Sequence, residues 1–181
     1  MKQVSRNRAT ANGEKNKKNK VTDKRLPPKQ KVNKKKDHPE FGTSIAEQNF
    51  ARDFLDKLGI EYVWQFEAKE IHRFFDFYLT KYRILIEYDG TYFHSDDRIY
   101  EEKDLNPMQK HNRRVDEEKN RWALLHCIPL IRVKEKDVNE HPDQIMKMLK
   151  ERLRIQGDLL EKEKNMNKRH VNKLNKLKKL L

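Results

Sequence analysis

Residues 74–94, FFDFYLTKYRILIEYDGTYFH, constrain the fold of this chain more than any other stretch. Their enrichment in Ile, Tyr and Phe reads as two consecutive strands. Asp76 then falls inside the first strand, and Glu87 and Asp89 fall at the end of the second, where a buried sheet should not carry acid. With a two-residue turn at Lys81 and Tyr82, Asp76 lies directly across the ladder from Glu87. Cross-strand partners sit about 4.5–5.5 Å apart, and like charges at that distance repel. A divalent cation held by oxygen ligands would remove the repulsion. Lys-Tyr is not a favoured hairpin pair, so a register one residue away stays open. In either register Glu87 and Asp89 share a face, because side chains alternate with period two.

Charge points to the partner. The formal charge of +13 is uneven: residues 1–40 hold 14 Lys/Arg against 4 acids, residues 41–154 hold 20 against 22, and residues 155–181 hold 8 against 3. An almost neutral centre thus carries a basic arm at each end. Basic blocks of this kind bind polyanions, most often nucleic acid, because each neutralised phosphate releases counterions. The alternative for residues 1–40 is a merely solvated tail. About 110 central residues suffice for one working core. Apolar runs are too short to span a bilayer and no hydrophobic segment follows the basic N-terminus, so no membrane partner is expected. Cys127 is the only cysteine, which excludes disulfides and cysteine-rich zinc sites; a reducing cytoplasm fits.

Along the chain, residues 1–40 contain Lys, Asn and Pro but no aromatic residue. Their apolar surface is too small to offset ordering entropy, so a disordered arm is expected. A helix begins after Thr43 and Ser44, with Glu47 placed as in a capping box. Ile45, Phe50, Phe54, Leu55 and Leu58 form its apolar face and Gly59 stops it. Residues 62–66 read as a strand, the two acid-bearing strands follow, residues 106–125 read as a helix, and residues 124–133 as a further strand. Pro129 predicts a bulge or an edge there. After Pro142 a helix runs through Ile145, Met148, Leu149 and Leu153, with a break expected at Gly157 and a separate basic amphipathic helix over residues 155–181. The order predicts an α/β core domain over residues 41–154, a mixed sheet flanked by helices.

Four separated elements carry a resemblance: a helix with Glu47, a strand reading Arg73-Phe74-Phe75-Asp76, the run IEYDGTYFH, and a helix with Asp116, Lys119 and Asn120 followed by IPLIRVKE. Their order over residues 43–135 resembles the PD-(D/E)XK nuclease superfamily, in the branch of very-short-patch-repair endonucleases and the homing endonucleases named for an E-D-x-H-D site. The resemblance implies a restriction-endonuclease-like fold. It gives Glu47 the helical acid, Asp76 the central metal ligand, His94 the histidine and Asp116 the last acid. It also implies that Tyr88 offers its backbone carbonyl to the metal at Asp76, while Glu87, facing Asp76 across the ladder, and Asp89, two residues on, are the further candidate metal ligands. Two departures stand out. The superfamily's usual lysine is absent from the strand after Glu87, which leaves proton transfer to His94, and the zinc site of the repair enzymes cannot be built, so their mismatch recognition does not carry over.

The chemistry has its own reasons for these groups. Phosphodiester hydrolysis needs charge stabilisation on phosphoryl oxygens and an activated water, which Mg²⁺ (or Mn²⁺) at Asp76 would supply. Histidine, with an unperturbed pKa of about 6.5, is suited to acid or base work. Plainer readings compete. Glu47 alone reads as a helix cap, Asp116 as part of a solvated face, and Asp89 beside Gly90 as a turn. Asp96, Asp97 or Asp104 stand as substitutes in the acidic loop. His72, His111 and His126 match no motif, and Trp64 and Trp122 read as core. Asp76 between Phe75 and Phe77 has no good structural explanation unless paired. The reading is a Mg²⁺-dependent endonuclease acting on double-stranded DNA, phage-encoded and of the homing or nicking type. Its rival is a non-cleaving nucleic-acid-binding factor that keeps the fold within a DNA-processing, transcription or RNA-bound assembly.

Overall fold

The computed structural model describes residues 43–178; the basic N-terminal arm, residues 1–40, lies outside them. Helix α1 (Ile45–Phe50) starts at Ser44, whose hydroxyl accepts the Glu47 N–H at 3.1 Å. It continues as π-helical turns over Ala51–Asp56. Phe50, Phe54 and Leu55 are buried, Ile45 is exposed, and Gly59 ends the segment in the left-handed region at φ +63°.

Four strands follow, β1 (Tyr62–Ala68), β2 (Arg73–Leu79), β3 (Ile84–Asp89) and β4 (Leu130–Lys134), side by side in that order. β2 is antiparallel to both β1 and β3, and β4 is parallel to β3. A parallel neighbour needs a crossover, and helix α2 (Pro107–Leu125) supplies it. Short α3 (Glu135–Glu140), which the polar stretch EKDVNE does not announce, leads into α4 (Pro142–Lys178). One sheet face packs Phe77, Leu79, Ile84, Ile86 and Tyr88 with Phe50, Phe54 and Leu55 of the first helical segment and with Ile145, Leu149 and Leu153 of α4. The other packs Phe66, Phe75, Tyr78 and Leu85 against Trp122 and Ala123 of α2. The expected α/β sheet flanked by helices is present. No helix among the described residues is long and apolar enough to cross a membrane.

Two expectations are corrected. The apolar run at residues 124–133 is not one strand: α2 extends through Leu125, with Leu124 and Leu125 77% and 74% exposed. The helix closes through Ile128 N–H to Ala123 O (2.9 Å) and Cys127 N–H to Leu124 O (3.0 Å), the two bonds of a Schellman ending. Its left-handed position is Cys127 (φ +53°) instead of the glycine that would announce it. Pro129 stands just before β4, an edge strand. Nor does Gly157 break the last helix, which is continuous over 37 residues, about 55 Å at 1.5 Å per residue. A helical glycine costs only about 1 kcal/mol, and a Cβ at this position would meet the Tyr82 ring at an ordinary contact distance of 3.7 Å.

The exposed Cys127 holds a conformation that costs an L-residue roughly 1–2 kcal/mol and glycine little. Cys127→Gly should therefore raise the unfolding free energy by about 0.5–1 kcal/mol after the extra chain entropy of glycine is deducted. Urea denaturation checks it, and an unchanged or lower midpoint would contradict this account of the helix end.

Candidate active site

The sheet is interrupted at one level. β1 and β2 pair at Trp64 with Phe77 and at Phe66 with Phe75, but the facing residues between them, Gln65 and Asp76, make no ladder pair. Gln65 lies at φ +46°, a costly conformation for a non-glycine residue. The alternation of side chains reverses here. Trp64 and Phe77 pack on the α1/α4 face, whereas Phe66 and Phe75 pack on the α2 face. Both strands carry the irregular residue at the same level, so their register is preserved.

On the other side of Asp76, pairs run from Leu79 with Ile84 to Phe77 with Ile86, the register expected from a turn at Lys81 and Tyr82. The next facing pair is Asp76 and Glu87. There side chains replace backbone carbonyls as acceptors: the Asp76 N–H donates to Glu87 Oε1 (3.3 Å) and the Tyr88 N–H to Asp76 Oδ2 (2.7 Å). The acids thus satisfy buried backbone donors that the broken ladder would leave unpaired.

Electrostatics follow from this crowding. Burial, and then the charge of Glu47, raise the Asp76 pKa against the opposing Tyr88 N–H, Lys119 and His94. Glu87 is 1% exposed. Burial and then Asp76 raise its pKa, although Lys119 Nζ donates to its Oε2 at 2.7 Å. Lys119, itself 9% exposed, reaches in from α2 and also lies over the Phe75 ring. The Glu47 carboxylate accepts Gln65 Nε2 (3.3 Å), so the helical acid is turned to the strained level of the sheet.

A second cluster surrounds His94. Its Nδ1 lies 2.9 Å from Asp116 Oδ2 and 3.6 Å from Asp89 Oδ1. Arg132 on β4 contacts Asp89 (2.7 Å) and Asp116 (3.1 Å). Burial opposes the charged imidazole, but the Asp116 hydrogen bond and the charges of Asp116 and Asp89 outweigh it, so the His94 pKa is raised. Burial likewise resists the Asp116 carboxylate, yet His94 and Arg132 hold its pKa below the usual value. Asp89 is raised, by burial first.

One stripe of α2 fixes the loop that carries His94. Gln109 Nε2 donates to Tyr92 O, Asn112 Nδ2 to Phe93 O and Arg113 to Ser95 O at 3.0, 2.9 and 3.3 Å, and Asp116 takes His94. These residues stand at i, i+3, i+4 and i+7, the spacing of one helical face. A cleft of about 150 Å³ opens beside His94 and Ser95, bordered by Arg113 and Lys134. The Tyr92 and Phe93 rings remain 50% and 56% exposed.

The predicted residues therefore gather in two groups, Glu47, Asp76 and Glu87 in one, Asp89, His94 and Asp116 in the other. Asp76 feels His94 and Glu87 feels Arg132. Tyr88 contributes its N–H to Asp76, while its ring packs on Phe50. Of the substitutes, Asp96 is buried under Arg98 and Lys134, Asp97 pairs with Lys134, and Asp104 stands exposed on a 3₁₀ turn. Among the described residues no three His, Cys, Asp or Glu side chains form a group ready to hold a metal. Sequence reasoning missed the roles of Lys119, Arg132 and Gln65. Only the i, i+3 spacing of Asp116 and Lys119 hinted at one of them. Compared with protein families, curated proteins and solved structures, the chain finds no match.

Asp76 gives a test of the electrostatics. Its folded pKa is raised, so its stabilising contribution is complete below the unfolded carboxylate range, near about 4, and is lost as pH rises through the raised value. Asp76→Asn keeps an acceptor for Tyr88 and removes the charge. It should stabilise the protein by about 1–2 kcal/mol at pH 8 and by much less at pH 4.5, as read by urea unfolding in chelator. An equal effect at both pH values would refute the raised pKa of Asp76.

Proposed function

We propose that this chain is a Mg²⁺-dependent endonuclease of restriction-endonuclease-like fold that hydrolyses phosphodiester bonds in double-stranded DNA, of the homing or nicking type. The observation that carries the reading is the broken ladder at Asp76, where buried acids crowd and Asp76 feels the charge of a histidine whose Nδ1 is already engaged. A structural role would not need strain at Gln65 and buried acids at one level of the sheet together with an oriented imidazole in the neighbouring loop.

The donor set suits a hard cation. Mg²⁺ takes oxygen ligands, keeps several waters and uses only one or two carboxylates, so a dedicated cage is not required. Asp76 and Glu87 supply carboxylates whose repulsion a cation would relieve. Tyr88 engages only Oδ2 of Asp76, which leaves Oδ1 as the candidate ligand. The Tyr88 carbonyl is the further ligand that the resemblance suggests, and Glu47 the acid that acts through water. When bound, Mg²⁺ or Mn²⁺ would offset phosphoryl charge and lower the pKa of a water.

The chain's own residues do the rest. Asp116 on Nδ1 leaves Nε2 of His94 to accept or donate the proton at the reacting phosphate. Asp89, tied to Arg132 and close to His94, belongs with the histidine rather than with the ion. Exposed Tyr92 and Phe93 present faces on which bases stack. Basic residues of the N-terminal arm and of the distal half of α4 hold phosphates, which position the duplex without reading it.

One observation favours the non-cleaving alternative: Glu87 already pairs with Lys119, and Asp89 and Asp116 with Arg132, so these acids are neutralised without an ion. Plasmid nicking decides between the two. The wild-type protein should nick or linearise supercoiled DNA in Mg²⁺ and not in chelator. Asp76→Ala should abolish this while retaining DNA affinity at low salt. His94→Ala should lose roughly 10²- to 10⁴-fold with a native circular dichroism spectrum. Full cleavage by folded Asp76→Ala would end the nuclease reading as stated.

A further inference from the structure

Arg132 is used more fully than a peripheral ion pair would require. It stands in β4 opposite Glu87 of β3, and its guanidinium spends three nitrogens on three partners. NH1 donates to Asp89 Oδ1 (2.7 Å), NH2 to Asp116 Oδ1 (3.1 Å) and Nε to Asn120 Oδ1 (3.0 Å). The other oxygen of Asp116 lies against His94 Nδ1 at 2.9 Å. Asp116 and Asn120 are one turn apart on α2, so the planar fork ties the edge strand to that helix and holds the histidine's carboxylate between them. A lysine in this place would offer a point charge and no fixed fork.

We infer that Arg132 is a positioning residue for His94: by clamping Asp116 and Asp89 together it keeps carboxylate on Nδ1, so that the neutral ring carries its hydrogen there and Nε2 is the nitrogen open to proton exchange. The inference rests on the nuclease reading for its consequence in catalysis, but its geometric content stands apart from activity. The tautomer of a histidine is set by the hydrogen bond its other nitrogen makes, and an unconstrained neutral imidazole prefers the hydrogen on Nε2. His94 is therefore held in the less common form, and Arg132 is the group that fixes the acceptor responsible.

The test is the ring ¹⁵N spectrum of His94 in the full chain, identified by its loss in His94→Gln, for wild type, Arg132→Gln and Arg132→Lys. DNA affinity and plasmid nicking are measured on the same proteins. Wild type should show the Nδ1–H form, Arg132→Gln a shift toward Nε2–H, and Arg132→Lys an intermediate state. Nicking should fall on the order of 10- to 100-fold in Arg132→Gln, the scale on which outer partners that orient a functional side chain act, with DNA affinity unchanged. A folded Arg132→Gln that keeps the Nδ1–H form and full nicking overturns the role. If Arg132→Gln does not fold, Arg132→Lys decides by the same spectrum, a wild-type tautomer population overturning the inference. If the wild-type protein does not cleave DNA, the nuclease reading fails, while the tautomer comparison still decides what Arg132 does.

Discussion

Carboxylate in the middle of a sheet is the constraint to which the rest of this structure answers. Asp76 sits in an inner strand with apolar neighbours on both faces, and a buried ion is costly unless hydrogen-bonded and paired. The chain meets that requirement locally by surrendering ladder. Tyr88 donates to Asp76, Asp76 donates to Glu87, and Gln65 bends into the left-handed region. Without this interruption, Phe75 and Phe77 would share a face. With it, each fills a different core, Phe75 against Trp122 and Phe77 against Phe50. The polar irregularity and the two hydrophobic layers are thus one arrangement.

The surrounding cations follow from the same requirement. Glu87 is too deeply buried to stay ionised unaided, and Lys119 supplies a partner from α2. Asp89 and Asp116 share Arg132. Removing one member of such a buried pair leaves an uncompensated charge and costs more than the pair contributes, so the acids and bases of this region constrain one another strongly. Among the described residues Asp76, unlike Glu87, Asp89 and Asp116, makes no ion pair, and its nearest compensation is the Tyr88 N–H. The strained residue of the sheet, Gln65, thereby faces an acid that makes no ion pair among the described residues.

The first helix with its glycine stop and the crossover helix are legible in the sequence, because each rests on local periodicity and capping chemistry, whereas the hairpin register is one of two that the unfavoured Lys-Tyr turn leaves open. The proximity of Asp76 and Glu87 could be argued from turn length alone. What stayed hidden needed either an unusual residue or a tertiary partner. Cys127 at a left-handed helix end concealed the boundary between α2 and β4, since the run LLHCIPLIRV lacks the glycine that marks such endings. Gly157 looked like a break, but α4 is anchored through Ile145, Leu149 and Leu153 before it, so propagation past one glycine is inexpensive. The pleat reversal at Gln65 leaves no trace in composition. Lys119 and Arg132 stand in the elements that carry the resemblance, but their partners, Glu87 on β3 and the acids around His94, are given only by the fold.

A final dependency runs from the start of α2 to both halves of the site. Asn106 and Gln109 form a reciprocal capping box, with Pro107 at the first helical position. Gln109 uses its remaining amide to hold the Tyr92 carbonyl, so the side chain that fixes where the helix begins also fixes the start of the histidine loop. From that origin the helical period dictates which residues face the sheet. Each residue adds about 100° of rotation, so a one-residue slip at Asn106 would turn Arg113, Asp116 and Lys119 away from Ser95, His94 and Glu87 together. The phase of the α2 members of the polar cluster is thereby set by a cap about 20 Å from Lys119 at 1.5 Å per residue.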